Sequence, residues 1–258
     1  MLKTTTLSSA AEKVIQSYLN LPFPEKTDVR CPYFNNAKRG QRGQLKALIG
    51  KGTPQEIVEE AKIIAIQYKQ DILHTTSSPE DIRKFLIENN LGVDCSGFIT
   101  NVLQAEFLTK NIDWIKHVFI VPKTNIIRWL ISKLRPAEQI SVSVLANEKN
   151  TETIADLSAI QAGDLIFMLK TGPKQARDHI LLVTKTTNNT IYYTHARAWS
   201  SEGRYGHGVS IGTITIAEPH SVLLDGIWEE KNNKNENNET FLEAKQALIL
   251  TVKRVKHN

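Results

Sequence analysis

Leu91-Gly92-Val93-Asp94-Cys95-Ser96-Gly97-Phe98-Ile99 is the stretch at which this 258-residue chain changes character. Asn89-Asn90 and Gly92 interrupt a helical pattern. From Cys95 onward Phe98, Val102 and Glu106 share one helical row, and Ile99, Leu103 and Phe107 the next. Cys95 is therefore expected in the first turn of an amphipathic helix, with Asp94 and Ser96 both able to cap it.

Upstream the pattern is helical. Ser8 to Leu19 places Val14, Ile15, Tyr18 and Leu19 at helical spacing, and Thr53-Pro54-Gln55-Glu56 is a capping box with proline in the first turn. The helix it opens is expected to run to about Leu73; Ser78-Pro79-Glu80-Asp81 opens another in the same style. Arg30 to Gly52, rich in glycine and basic residues, reads as a loop. Downstream the period becomes that of strands: Asp164–Leu169, His179–Lys185, Thr190–Ala196, Val209–Ile216, Val222–Trp228 and Ala247–Val255, separated by Gly172-Pro173, Asn188-Asn189 and Glu218-Pro219. Glu229 to Glu239, charged and asparagine-rich, reads as a mobile loop. Helices followed by consecutive strands predict an α+β fold with an antiparallel sheet. The chain reads as one domain over 1–258, with a helical extension over 1–75. An insertion over 110–150, holding Trp114, Ile126-Ile127 and Trp129-Leu130-Ile131, reads as a helical excursion or a small lobe.

Composition limits the function. Hydrophobic residues at 41% and charged residues at 23% exclude a collagen-like or wholly disordered chain. Two cysteines, Cys31 and Cys95, are too few for a secreted disulfide framework and have no zinc-site spacing. The net charge of +5 is scattered, with Lys38-Arg39, Arg42, Lys46 and Lys51 its densest group, so no nucleic-acid partner is expected. A mildly basic surface also suits an anionic polymer. No apolar run follows Lys3 and none approaches a membrane span. The expectation is a cytoplasmic chain, or one exported by a non-classical route.

A cysteine at a helix N-terminus meets free N–H groups that favour a thiolate and can hold an oxyanion. Such a nucleophile needs a base and a group that orients the base. Of seven histidines, His74, His207, His220 and His257 lie in turn or terminal contexts, and His117 in the ambiguous segment. His179 and His195 each stand at the edge of a strand run. A hairpin at Asn188-Asn189 would make them roughly cross-strand partners facing the Cys95 helix.

Asp94-Cys95-Ser96-Gly97-Phe98 resembles the D-C-S-G-[FL] signature of the NlpC/P60 cysteine hydrolases, a papain-like superfamily. Two further blocks match in order: Leu157 to Phe167, with its Gly163-Asp164-Leu165-Ile166-Phe167 strand, then Asp178-His179-Ile180-Leu181-Leu182-Val183 with Tyr193-Thr194-His195-Ala196. The resemblance covers Leu91 to Ala196. It implies a papain-like fold in which Cys95 is the nucleophile, His179 the general base and His195 the residue that orients it. Pro32-Tyr33 is similar to an upstream tyrosine context of the family, without its Gly-Gly. Asp94 and Ser96 are implied as substrate contacts. Arg177 and Arg197, with Arg204, flank the proposed site and suit a substrate carboxylate. The gap from Cys95 to His179 is longer than the family's usual one, and no repeated wall-binding module is visible.

The reaction so implied is amide hydrolysis in the stem peptides of bacterial peptidoglycan, by a cysteine peptidase or amidase needing neither metal nor cofactor. Two alternatives remain at this point: an acyltransferase or thioesterase with the same residues, and a catalytically silent binding module.

Overall fold

The computed structural model describes residues 2–35, 46–70, 77–120, 134–216 and 222–256. Four helices build one layer: α1 (Ser9–Leu19), α2 (Pro54–Gln67), α3 (Pro79–Glu88) and α4 (Cys95–Leu108). Their starts follow local chemistry. Ser8 Oγ accepts from Ala11 N, while Thr53 with Glu56 and Ser78 with Asp81 form reciprocal capping boxes ahead of a proline. α2 ends at Gln67, short of the expected Leu73, which lies outside the described residues. Short helical turns follow at Trp114–His117, Val142–Leu145 and Gly203–Gly206, and a last helix at Glu239–Gln246.

Among the described residues nine strands form one sheet, and every pairing between them is antiparallel. They are β1 (Thr5–Thr6), β2 (Thr151–Ile154), β3 (Leu165–Thr171), β4 (Arg177–Thr187), β5 (Thr190–Arg197), β6 (Gly208–Thr215), β7 (Ile227–Glu230), β8 (Asn233–Lys234) and β9 (Ile249–Val255). The order is β2-β9-β3-β4-β5-β6-β7-β8, with β1 added to β4. The α+β class is as expected.

Alternation along the central strands splits the core in two. Ile180 and Leu182 of β4 and Phe167 of β3 face α4, where Phe98, Ile99, Val102 and Leu103 are buried. Leu181 and Val183, with Tyr193, Trp228 and Phe241, fill the opposite face. A side chain of this size contributes about 2 kcal/mol when fully buried. Ala11, Ile15 and Tyr18 of α1 belong to the α4 core, so the helical extension is built into the fold.

Two sequence readings need correction. Glu229 to Glu239 is not a mobile loop. Glu230 ends β7 with 1% exposure, β8 returns beside it, and the fully buried Asn238 caps the helix Glu239–Gln246 by accepting from Phe241 N. Within the expected strand Val222–Trp228, Leu223–Asp225 is a 3-10 turn and only its end is strand. The described parts of the insertion, 110–120 and 134–150, hold helical turns that pack on α4: Trp114 stacks on Phe107 at 5.9 Å, and Ile140 and Leu145 are buried. Its Ile126-Ile127 and Trp129–Ile131, like His74, His220, His257, Lys38-Arg39, Arg42 and Glu218-Pro219, lie outside the described residues. No helix among the described residues is long and apolar enough to cross a membrane.

Candidate active site

Cys95 opens α4, and several segments hold it there. Asp94 caps the helix, its Oδ1 accepting from Gly97 N at 2.6 Å and from Ser96 Oγ at 3.0 Å. Lys51 donates to Asp94 Oδ1 at 2.9 Å, Ser96 Oγ at 2.6 Å and the Ile140 carbonyl at 2.8 Å. The Gly50–Lys51 backbone lies so close to the helix start that a Cβ on Gly97 would stand 2.3 Å from the Gly50 carbonyl oxygen. Gly50 itself has φ +76, and its carbonyl accepts from Asp94 N. The Tyr18 hydroxyl donates to the Gly52 carbonyl and accepts from Asn101 of α4, which ties this loop to both helices.

Asp94 and Ser96, expected as substrate contacts, are therefore committed to Lys51 and to the helix start. Tyr33 pairs with Val93 as a parallel bridge. Burial, then the adjacent Cys95 and Asp94, push its phenol well above the usual range. Tyr33 thus lies beside the segment that leads into the cysteine.

His179 and His195 meet. His179 Nε2 lies 2.7 Å from His195 Nδ1, with both rings buried. The rough cross-strand relation expected of them has a definite register. Thr187 faces Thr190 around the Asn188-Asn189 turn, and a bulge between Val183 and Lys185 leaves Leu182 opposite Thr194. The histidines are thus diagonal neighbours on one face. That face carries Tyr193 and Trp228: the His195 ring lies 5.6 Å from Tyr193, which lies 5.7 Å from Trp228.

Behind His195 stands Glu230, which the sequence reading missed. His195 Nε2 is 2.9 Å from Glu230 Oε1, and Arg197 Nε is 2.8 Å from Glu230 Oε2. Tyr193 Oη and Thr240 Oγ1 donate to Oε1 at 2.9 and 3.0 Å. Arg197, expected as a substrate contact, is 3% exposed. It holds Glu230 and Glu202 and stacks over Trp199 at 3.6 Å, so its fork is not presented to a cleft. Arg177 is exposed at the start of β4, its guanidinium lying over Gly172.

The histidine pair stands near the start of β4 and the end of β5, at one end of the sheet, and Cys95 opens α4. Among the described residues, no hydrogen bond joins Cys95 to His179. They share the electrostatic field of Glu243, a half-buried carboxylate on the last helix anchored by Thr171 Oγ1 at 2.8 Å. Burial and Asp94 raise the Cys95 thiol to about 12, outweighing Lys51 and the Ser96 N–H. Burial lowers His179 to about 4 against the pull of Glu243 and Glu230. At neutral pH the resting groups are a thiol and a neutral imidazole, not the thiolate that a helix N-terminus alone suggests. Burial also works to raise Glu230, but the hydrogen bond from His195 and the charge of Arg197 outweigh it and hold the carboxyl at about 2.

The arrangement supplies a thiol at a helix start and a histidine whose Nε2 is engaged while its Nδ1 makes no hydrogen bond to any described residue. A second histidine and a buried carboxylate back it. Comparisons of the chain with protein-family models, curated proteins and solved structures found no match.

Proposed function

We infer that the chain is a cysteine hydrolase of amide bonds, with Cys95 as nucleophile, His179 as base and His195 as the group that orients it. The observation that carries this reading is the 2.7 Å contact between His179 Nε2 and His195 Nδ1, with no described residue bonded to His179 Nδ1. The D-C-S-G block and the two histidine strands point to a papain-like enzyme of the NlpC/P60 kind. They also point to stem peptides of bacterial peptidoglycan as substrate.

Because the thiol and the imidazole are both neutral at rest, deprotonation accompanies attack. The Cys95 S–H bond breaks, His179 Nδ1 gains the proton, and sulfur adds to the scissile carbonyl. N–H groups at the start of α4 suit the oxyanion. His179 then gives the proton to the departing amine. Water, deprotonated by the same imidazole, adds to the thioester carbonyl; the C–S bond breaks and His179 returns the proton to the Cys95 sulfur.

The test is digestion of purified muropeptides by wild type and Cys95→Ala, followed by mass spectrometry. The expected result is a new amine and carboxylate from one bond, absent with the alanine variant. Undiminished cleavage by a folded Cys95→Ala chain, or intact muropeptides with wild type, overturns the reading.

A further inference from the structure

Glu230 uses both carboxylate oxygens in a site sealed from solvent, and its partners among the described residues fix the direction of each bond. Arg197 Nε–H has no acceptor character. The Trp199 Nε1–H donates to Thr240 Oγ1 at 3.0 Å, so the proton of that hydroxyl is left for Glu230. Tyr193 Oη donates to Oε1, and Ser210 Oγ stands 3.4 Å from Oε2. A carboxylate surrounded by donors accepts everywhere, so His195 Nε2 must carry a hydrogen.

The direction then propagates. Arg197 already balances the charge of Glu230, so no net negative charge is left to call for an imidazolium at the sealed His195. A neutral His195 with its hydrogen on Nε2 has a lone pair on Nδ1. That lone pair can only accept, so His179 Nε2 donates to it across 2.7 Å. His179 Nδ1 is left with a lone pair. When that nitrogen takes up a proton, no other proton in the row has to move and no hydrogen bond reverses.

We propose that Glu230 is a positioning residue which, acting through His195, fixes His179 in the one tautomer whose Nδ1 is a free base. Its catalytic meaning rests on His179 being the base of the proposed hydrolase. The tautomer itself does not, so the two can fail separately.

The experiment is nitrogen NMR of the full chain carrying ¹⁵N-histidine, read through two-bond proton–nitrogen correlations at pH 7.5 in wild type, Glu230→Gln and Glu230→Asp. In wild type His179 is expected to show a pyridine-type Nδ1 and a protonated Nε2, and His195 the same pattern. In Glu230→Gln, whose amide can donate or accept, the His179 Nδ1 signal is expected to move toward the average of the two tautomers. Glu230→Asp, which restores the charge, should move it back. A protonated Nδ1 on His179 of the wild type overturns the proposal, and this reading stands even where Glu230→Gln does not fold. An unchanged tautomer in a folded Glu230→Gln chain overturns it as well. Failure to cleave muropeptides, with the tautomers as expected, sinks the hydrolase reading and leaves the role of Glu230 intact.

Discussion

His195 Nε2 lies 2.9 Å from Glu230 Oε1, and neither side chain has any solvent contact. A histidine held this way has its ring plane and tautomer set from behind, through a carboxylate that Arg197 in turn keeps charged. Arg197 follows as a structural cation of the site.

Arg197→Met removes one partner of a buried pair and leaves the charge of Glu230 with hydrogen bonds only. Breaking such a pair costs about 3–5 kcal/mol. For a chain of this size that lowers Tm by about 10 °C. Lysine at this position is a point charge that cannot serve both Glu230 and Glu202, so Arg197→Lys is expected to recover only part of the loss. Thermal melts followed by circular dichroism decide it. A methionine variant melting within about 2 °C of wild type would show that Arg197 is dispensable.

The parts of this site legible in the sequence are those that local pattern encodes. Cys95 announces itself by the helical rows after it and by the Asp94 cap. His179 and His195 stand at the ends of apolar strand runs. What stayed hidden depends on contacts remote in sequence. Glu230 is inward because Trp228, two residues earlier on the same strand, is inward. That signal was present but was masked by the Asn- and Lys-rich run beginning at Lys231. The same composition hid the helix that carries Glu243, whose start needs only the buried Asn238 cap. Lys51 sat among scattered surface positives, and nothing local says that its ammonium turns inward to Asp94 and Ser96. The resting thiol is a burial effect, and burial is a property of the whole fold.

Acid sensitivity follows from His179 and Glu230. The His179 imidazole is held at about 4 in the fold against an ordinary value of 6.5. Above pH 6.5 both folded and unfolded forms are neutral and the full stability is present. As pH falls from 6.5 to about 4 the unfolded chain gains a proton that the fold refuses, and stability drops. Glu230, held at about 2 against 4.5, contributes stability above pH 4.5 that is lost as pH falls toward 2. Urea melts at pH 7.5, 5.5 and 4.5 should show a midpoint that falls with pH, and His179→Gln should flatten that fall by about 2–3 kcal/mol. Parallel pH profiles for wild type and variant would refute the assignment to His179.

Gly97→Ala tests how tightly the cysteine is placed. The added Cβ would stand 2.3 Å from the Gly50 carbonyl oxygen, a backbone atom that cannot swing away. Either the start of α4 or the Gly50–Lys51 loop must move. Overpacking of this kind costs about 1–3 kcal/mol. The alanine variant should also change the alkylation rate of native Cys95 by iodoacetamide, measured by peptide mass mapping against Cys31. Unaltered stability together with an unaltered Cys95 rate would mean that this close approach does not hold the nucleophile.

The Lys51 ammonium makes the sharpest energetic prediction. It is 8% exposed and spends three donors on Asp94, Ser96 and the Ile140 carbonyl, so Lys51→Met leaves Asp94 charged, buried and short of its cation. Such a change costs about 3–5 kcal/mol. Replacing both members removes the stranded charge, so the double variant Lys51→Met with Asp94→Asn should be more stable than the sum of the two single changes implies. A coupling of about 1–3 kcal/mol in the double-mutant cycle is expected. The same variant carries a chemical readout. Lys51 lowers the Cys95 thiol and Asp94 raises it, so Lys51→Met should slow alkylation of native Cys95 at a given pH, and Asp94→Asn should speed it. Additive stabilities, or alkylation rates that move in the same direction for both single changes, would separate Lys51 from the cysteine it is built around.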